Sequence, residues 1–441
     1  MDDLTEETLV FQRIADFHEW FAERRAASAC SVTRARLDQL DGWHVQQGTG
    51  TIQHHSGKFF AVDGLEISTD HASVSSWTQP IIIQPESGIL GILVKRFHGV
   101  PHFLMQAKVE PGNIGLLQLS PTVQATRSNY TRVHKGKAVP YLEYFQAPRR
   151  GRILSDVLQS EQGSWFLHKR NRNMIIEITD DVEVLEDFCW LTAAQLGELL
   201  RWDHVVNMDS RTVLAGWPLA ETHWGRDAAL DRDQLSELLS WFTEAKSRYQ
   251  LTRQRIPLTN VKNWIISPER IVHENDAYFA IVGVDVKGAG REVAGWSQPM
   301  IEPRHPGVVA FVTRHDGDEP RVLVHAHTQA GTHDVVEMAP TVQCAPGNYE
   351  DTPPDRRPSF LDYVLSAGRE RVLFDALHSE EGGRFYQAEN RYLLVEAGPD
   401  FPRETGPDFA WMTLSQLAEL ARYGNYVNVE ARNLLACLLF T

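Results

Sequence analysis

The sequence predicts an α+β protein written twice in tandem. Three features carry this prediction: motifs that recur at one fixed spacing, helical periodicity at the start of each copy, and clustered short strands separated by turn residues. The 441 residues are 42% apolar and 10% aromatic, enough for a full core and for more than one domain.

The repeat decides the architecture. Trp77-Thr78-Gln79-Pro80 returns as Trp296-Ser297-Gln298-Pro299, an offset of 219 positions (296 minus 77). Pro121-Thr122-Val123-Gln124 and Asn129-Tyr130 return at the same offset as Pro340-Thr341-Val342-Gln343 and Asn348-Tyr349. Ser160-Glu161, Gly163 and Phe166 match Ser379-Glu380, Gly382 and Phe385, and Asn171-Arg172 matches Asn390-Arg391. Further on the offset becomes 221 (411 minus 190), pairing Trp190 with Trp411, and Val206-Asn207 plus Arg211 with Val427-Asn428 plus Arg432. So long a unit lies far above the periods of about 20 to 50 residues that mark solenoids and propellers, so a whole domain is duplicated. The two units are placed at 1–222 and 223–441. The stretch from Gly216 to Asp231, with Gly216, Pro218 and Gly225, has the composition of a connector.

Within a unit the order is helix, strands, helix. Ile14, Phe17, Trp20 and Phe21, and likewise Leu235, Leu238, Leu239 and Phe242, sit at helical spacing. Phe59 to Val62, Ile81 to Ile83, Ile89 to Val94, Phe103 to Ala107 and Leu116 to Leu119 read as strands, as do Tyr278 to Val282, Val308 to Val312 and Leu323 to His327. Trp165 to His168 and Met174 to Ile178 extend the series, and Thr192 and Thr413, each with Gln three residues on, predict capping boxes. Strands that cluster instead of alternating with helices predict a mainly antiparallel sheet.

Charge and composition exclude several classes. The 43 Lys+Arg against 58 Asp+Glu give a net charge of −15, which argues against a general nucleic-acid binder. No apolar run approaches a membrane span and the acidic start has no leader pattern, so a cytoplasmic location is expected. Cys30, Cys189, Cys344 and Cys437 lie far apart, without a thiolate zinc spacing or a disulfide framework.

Residues kept in both copies report what both copies need. For the paired Gly, Pro and Leu positions that need is folding. Trp77, Gln79, Gln124, Tyr130, Glu161, Asn171, Arg172, Asn207 and Arg211 combine aromatic faces with amide, carboxylate and guanidinium groups, a mixture that suits a base, a sugar and a diphosphate. Their twins are Trp296, Gln298, Gln343, Tyr349, Glu380, Asn390, Arg391, Asn428 and Arg432. A folding role competes for each; Asn207, beside a helix, is as well placed to satisfy backbone groups. Lys169-Arg170-Asn171-Arg172 is the local cationic cluster that an acidic chain needs for a diphosphate, and it becomes Ala388-Glu389-Asn390-Arg391 in the second copy. Arg149-Arg150-Gly151-Arg152 reads as a solvated loop. The copies also differ where Lys108 and Glu110 become His327 and Gln329: a glutamine cannot act as a carboxylate base, so a route through Glu110 works only in the first copy. His325 and His327 share one strand face, an arrangement found in metal sites, but the first copy lacks it and ordinary histidines are the better reading.

Taken together, WTQP and WSQP, AKVEPGN, SPTVQ and APTVQ, SEQG and SEEGGRF, NRN and NRY, and VNMDSR with VNVEAR resemble the NDP-hexose 2,3-dehydratases of deoxysugar biosynthesis over nearly all of both copies. The resemblance implies tandem Nudix-like domains, a homodimer, dTDP-sugar sites, no nicotinamide, flavin or metal, and a downstream 3-ketoreductase. The acidic helix motif of Nudix hydrolases is missing, which disfavours pyrophosphate cleavage. On this reading Glu110 or Glu161 takes the carbon 3 proton, with Glu110 preferred because it is unique to one copy. Lys108 or Tyr130 supports the enolate or protonates the leaving hydroxyl. The remaining shared polar and aromatic residues, with Arg170, hold the nucleotide-sugar. A non-catalytic dTDP-sugar-binding protein and a cupin-like keto-sugar epimerase are the alternatives.

Overall fold

The computed structural model describes residues 10–11, 13–71, 74–126, 139–148, 150–225, 230–288, 295–315 and 319–441. Each copy opens on a helix, Ile14–Ala27 and Arg232–Arg248, that buries one face: Phe17, Trp20 and Phe21 in the first, Leu238, Phe242 and Ala245 in the second. Asp231 starts the second by accepting hydrogen bonds from the amides of Asp233 and Gln234.

The strand after each helix then leaves its own copy. Cys30–Ala35 pairs antiparallel with Phe279–Gly288, and Leu251–Ile256 pairs antiparallel with Ala61–Thr69. Each small sheet therefore has five strands, one of them lent by the other copy. The faces of these sheets share one core, in which Leu37, Trp43, Phe60 and Phe166 meet Leu258, Phe279, Ile301 and Phe385. Trp43 donates its indole N–H to the carbonyl of Ser297 at 2.7 Å, and Trp264, its counterpart, donates to the carbonyl of Thr78 at 3.0 Å.

The larger sheet of each copy has seven strands. In the first copy the order is Arg152–Ser160, Arg170–Ile178, Ile89–Phe97, Val100–Val109 and Phe188–Thr192, with the short strands Leu117–Ser120 and Val123–Ala125 added at one end. The second copy repeats this with Val372–Ser379, Glu389–Glu396, Gly307–His315, Pro320–His327 and Phe409–Thr413. Among the described strand pairs of these sheets the central contact alone is parallel, Arg172 aligning with Ile89 and Arg391 with Val308. The expected α+β class with mainly antiparallel pairing and two repeated halves is what the fold shows.

Helices cross the centre. Thr192 and Thr413 complete the expected capping boxes on Ala193–Leu199 and Leu414–Leu420. Asn207 and Asn428 cap the buried helices Met208–Leu214 and Val429–Phe440, which pack on each other and carry a single core through both copies. From these helices Arg211 reaches the carbonyl of Ser379 at 3.0 Å and Arg432 reaches that of Ser160 at 2.5 Å. Both guanidiniums are buried, and each bonds one carbonyl of the other copy, Ser379 or Ser160, and one of its own, Val206 or Val427.

One segment differs from the sequence expectation. Trp165–His168 is not a strand but the end of a loop, touching the sheet only where Ile82 and Phe166 bridge. Its apolar residues follow strand grammar because Trp165 and Phe166 fill the shared core beside Phe385. The loop ends at His168, held at φ 53°, whose N–H donates to the carbonyl of Gly331 in the other copy at 2.7 Å.

Because strands, core and buried arginines are exchanged, the two copies should not unfold separately. Calorimetry of the full chain is expected to give one cooperative transition; two resolved transitions would contradict this packing.

Candidate active site

The chemistry-bearing side chains of the first copy converge where its strand ends meet a loop of the second. Val100–Val109 runs into a tight turn at Glu110, where the amide of Asn113 donates to the carbonyl of Glu110. The Glu110 carboxylate is buried and held by three side-chain amides: Gln124 Nε2 donates to Oε1 at 2.6 Å, and Asn113 Nδ2 and Asn207 Nδ2 donate to Oε2 at 3.3 Å. Asn207 thus does two things, capping a helix through its oxygen and orienting Glu110 through its nitrogen.

Beside it stand three further carboxyls. Asp209, in the first turn of the helix that Asn207 caps, is buried with Oδ1 unpartnered among the described residues. Burial, then the negative Glu110, Glu161 and Glu381, push its proton affinity well above the ordinary aspartate range. Glu161 accepts from Asn171 Nδ2 at 2.8 Å while its buried Oε2 has no partner among the described residues; its proton affinity is raised by burial against the pull of Arg432 and Lys169. Glu381 comes from the second copy. Burial raises it to about 7, with Glu110 and Glu161 adding to the rise and Arg384 and Lys169 opposing it. Cations balance the group: Lys108, whose charge is felt at Asp209; the buried Lys169, bonded to the carbonyl of Glu86; and Arg384, which donates to Gln84 at 3.1 Å and lies over Phe60.

Main-chain bonds between copies fix this meeting. The amide of Gly112 donates to the carbonyl of Gly382, and the amide of Gln387 donates to the carbonyl of Gly112, both at 2.7 Å. A side chain at Gly112 is excluded, since a Cβ there would lie 1.7 Å from the carbonyl oxygen of Phe385. The mirrored contact joins Gly331 to Gly163 at 2.6 Å.

The mirrored site holds Gln329, Glu430, Glu380 and Gln162 where the first holds Glu110, Asp209, Glu161 and Glu381. Two of four carboxyls have become amides. Gln162 Nε2 donates to Glu380 at 2.9 Å, and Tyr392 Oη and Asn390 Nδ2 donate to the same group at 2.7 Å, so Glu380 is a satisfied carboxylate. Glu430 is fully buried, and desolvation followed by the charge of Glu380 pushes it up to about 8.

Other expected site residues divide between these sites and the frame around them. Trp77 donates to Gln79 at 2.8 Å and Gln79 donates to the carbonyl of Ser164 at 2.9 Å; Trp296, Gln298 and Gly383 repeat the device. The WTQP and WSQP motifs therefore tether the two loops that line the sites. Asn171 accepts from the amide of Gly88 at 2.9 Å as it donates to Glu161. Strand alternation sends Arg172 to the opposite face, where it makes a two-pronged pair with Asp156, as Arg391 does with Asp375. Arg170 lies near His168 and His333, so the run from Lys169 to Arg172 does not form one cationic cluster. Gln343 accepts from Asn428 at 2.7 Å, and burial pushes the phenol of Tyr349 up to about 12. Arg432 is committed to Ser160 and Val427 carbonyls and to Thr212. Tyr130 and Arg149 lie outside the described residues.

His325 and His327 do face one side, and His71 of the first copy joins them; burial holds His327 down at about 4 and His325 well below the usual range. Among the described residues no three His, Cys, Asp or Glu side chains are grouped as metal ligands.

Sequence reasoning missed Asp209, Glu381 and Arg384. The signal was present: VNMDSR and VNVEAR place an acid at the same position of both copies, and SEEG against SEQG changes an amide to an acid.

The sequence model of a family described as NDP-hexose 2,3-dehydratase matches the chain twice, over residues 14–217 and 235–438. A dTDP-4-dehydro-6-deoxy-alpha-D-glucopyranose 2,3-dehydratase from Streptomyces violaceoruber is 53% identical over 430 residues, covering 96% of both chains. Proteins of the same name from Saccharopolyspora spinosa and Amycolatopsis orientalis are 48% and 49% identical, over 96% and 97% of this chain and 90% and 91% of theirs.

The raised Glu430 sets a pH dependence of stability. Between the ordinary value of 4.5 and about 8 the folded chain keeps a proton there that the unfolded chain has released, so this contribution is present at low pH and is lost as pH rises through 8. Glu430→Gln removes it. The melting temperature of the variant should fall less than that of the wild type from about pH 5 to about pH 8; parallel curves would contradict the assignment.

Proposed function

Since the chain belongs to the NDP-hexose 2,3-dehydratase family, we propose that it is a hydro-lyase that removes water across carbons 2 and 3 of a dTDP-4-dehydro-6-deoxy-hexose, in the glucose form. The observation that carries the reading is Glu110: a buried carboxyl held by three amides, in a cluster whose unpartnered buried groups, among the described residues, are acceptors. Such a cluster suits the donor hydroxyls of a sugar and repels a diphosphate, which belongs outside it.

The ketone at carbon 4 makes the carbon 3 hydrogen acidic. Glu110 takes that proton, and the electron pair moves onto the carbon 4 oxygen, where the Lys108 ammonium offsets the new charge. As the enolate collapses, the carbon 2–oxygen bond breaks and hydroxide leaves as water once protonated. The resulting enol gains a proton at carbon 2 and loses one from oxygen 3, giving a 3,4-diketo-2,6-dideoxy sugar. The proton inventory closes without a hydride or electron acceptor, so no nicotinamide or flavin is called for.

Further parts of the reading are proposals of the same kind. Nudix-like units at 1–222 and 223–441 accord with the repeated sheets, and Trp77, Trp296 and Tyr349 supply the aromatic faces for the nucleotide. Assembly as a homodimer in the cytoplasm, and a place in deoxysugar synthesis for natural products, follow the family. The diketone is reactive, so a carbon 3 ketoreductase is the class of enzyme that must consume it.

Incubation with dTDP-4-keto-6-deoxy-glucose, such a reductase and its hydride donor should yield a trapped sugar that has lost water and gained two hydrogens, lighter than the ketosugar by one oxygen in mass spectrometry; recovery of intact ketosugar would instead favour a binding protein. Glu110→Gln, a side chain that the mirrored site already carries as Gln329, should lower kcat by about 10² to 10⁴ with an unchanged melting temperature. Activity within a few-fold of the wild type would remove Glu110 from the reaction.

A further inference from the structure

We propose that the acid of this reaction comes from the other copy: Glu381 protonates the leaving hydroxyl in the site where Glu110 is the base. The inference rests on the dehydratase reading above and adds a residue to it.

The first argument is internal comparison. Of the four carboxyl positions, two remain acids in both sites, Asp209 with Glu430 and Glu161 with Glu380. A role needed by both copies, whether folding or binding, is the economical account of these. The other two are acids in one site only, Glu110 against Gln329 and Glu381 against Gln162. Elimination of water needs one group to take a proton and another to give one, and two positions vary together.

The second argument is what a merely structural residue would do at position 381. Gln162 shows the answer, since its amide donates to Glu380 at 2.9 Å and completes that carboxylate. A carboxyl at 381 gives up the equivalent bond, leaving Glu161 Oε2 without a partner among the described residues, and places like charge beside it. Among the described residues Glu381 Oε1 accepts a 3.2 Å bond from the amide of Gly383, and its buried Oε2 has no partner. Stability favours glutamine, so the acid is retained for another reason.

Position and protonation agree with that reason. The bonds of Gly112 to Gly382 and Gln387 lock the turn that bears Glu110 against the loop that bears Glu381. Glu110 and Glu161 face Glu381 with negative charge and Arg384 and Lys169 with positive, while Asp209, in the same cluster, has its own proton affinity pushed up by burial and by these carboxyls. With its value near 7, Glu381 holds its proton in part of the molecules at neutral pH, whereas an ordinary glutamate would have lost it. The step balances: Glu110 gains the carbon 3 proton, Glu381 gives its own to the departing oxygen, and water leaves. Tautomerisation returns a proton from Glu110 to carbon 2, and the enol hydroxyl returns one to Glu381.

The test follows carbon 3 exchange and water loss separately, in deuterated solvent with dTDP-4-keto-6-deoxy-glucose. In Glu381→Gln, water loss should fall by about 10² or more while NMR of recovered sugar still shows deuterium entering carbon 3. In Glu110→Gln both should fall together. Glu381→Asp, which keeps a carboxyl, should recover part of the lost activity, and the decline of wild-type kcat above neutral pH should be absent in Glu381→Gln. Water loss by Glu381→Gln within a few-fold of wild type, or equal loss of exchange and elimination, would overturn the assignment. A wild-type protein that performs neither process overturns the dehydratase reading itself.

Discussion

Everything at the centre of this molecule depends on backbone hydrogen bonds made between two copies of one domain. The amide of Gly112 to the carbonyl of Gly382, and of Gly331 to Gly163, bring the turn of one sheet against the loop of the other at 2.7 and 2.6 Å. Approach that close leaves no space for a Cβ. The price is strain at His168 and Gln387, non-glycine residues held at φ 53° and 50°, which only a fixed surrounding can maintain. Exchanged strands, the shared core under Trp43 and Trp264, and the crossed arginines supply that surrounding.

This geometry explains how one duplication yields two unlike sites. Each site takes residues from both copies, so a change in a single loop alters one site and spares the other. Four carboxyls in one desolvated cluster repel one another, and the first site meets that cost with Lys108, Lys169 and Arg384 and by keeping protons on part of the group. At the second site the cost is smaller: amides stand at 329 and 162, Glu380 is fully hydrogen-bonded, and His327 stands where Lys108 does. Chemistry and stability thus pull apart at matching positions.

The repeat, the opening helices and the capping boxes were legible because each follows from local periodicity or from a short motif. Glu110 stood out in the sequence because its twin is a glutamine, and the fold places it, buried, among Asp209, Glu161 and Glu381. Asn207 was visible as a paired residue, but only the fold shows it capping a helix and holding Glu110 at once. The exchange of Cys30–Ala35 and Leu251–Ile256 was not legible, since a strand's own sequence does not specify which sheet edge it joins. The cationic reading of Lys169 to Arg172 failed for a similar reason: strand alternation separates neighbours in sequence, and Asp156, the partner of Arg172, carries no mark of its role. Trp165–His168 looked like a strand because a loop that fills a core needs the same residues.

The central claim is that one working site draws its base from the first copy and its acid from the second. A crystal structure of the Glu110→Gln variant with dTDP-4-keto-6-deoxy-glucose bound tests this most directly. The account predicts carbon 3 of the hexose against position 110 and its carbon 2 hydroxyl within hydrogen-bond reach of Glu381. A hexose seated only in the mirrored site, among Gln329, Glu430 and Gln162, would contradict it.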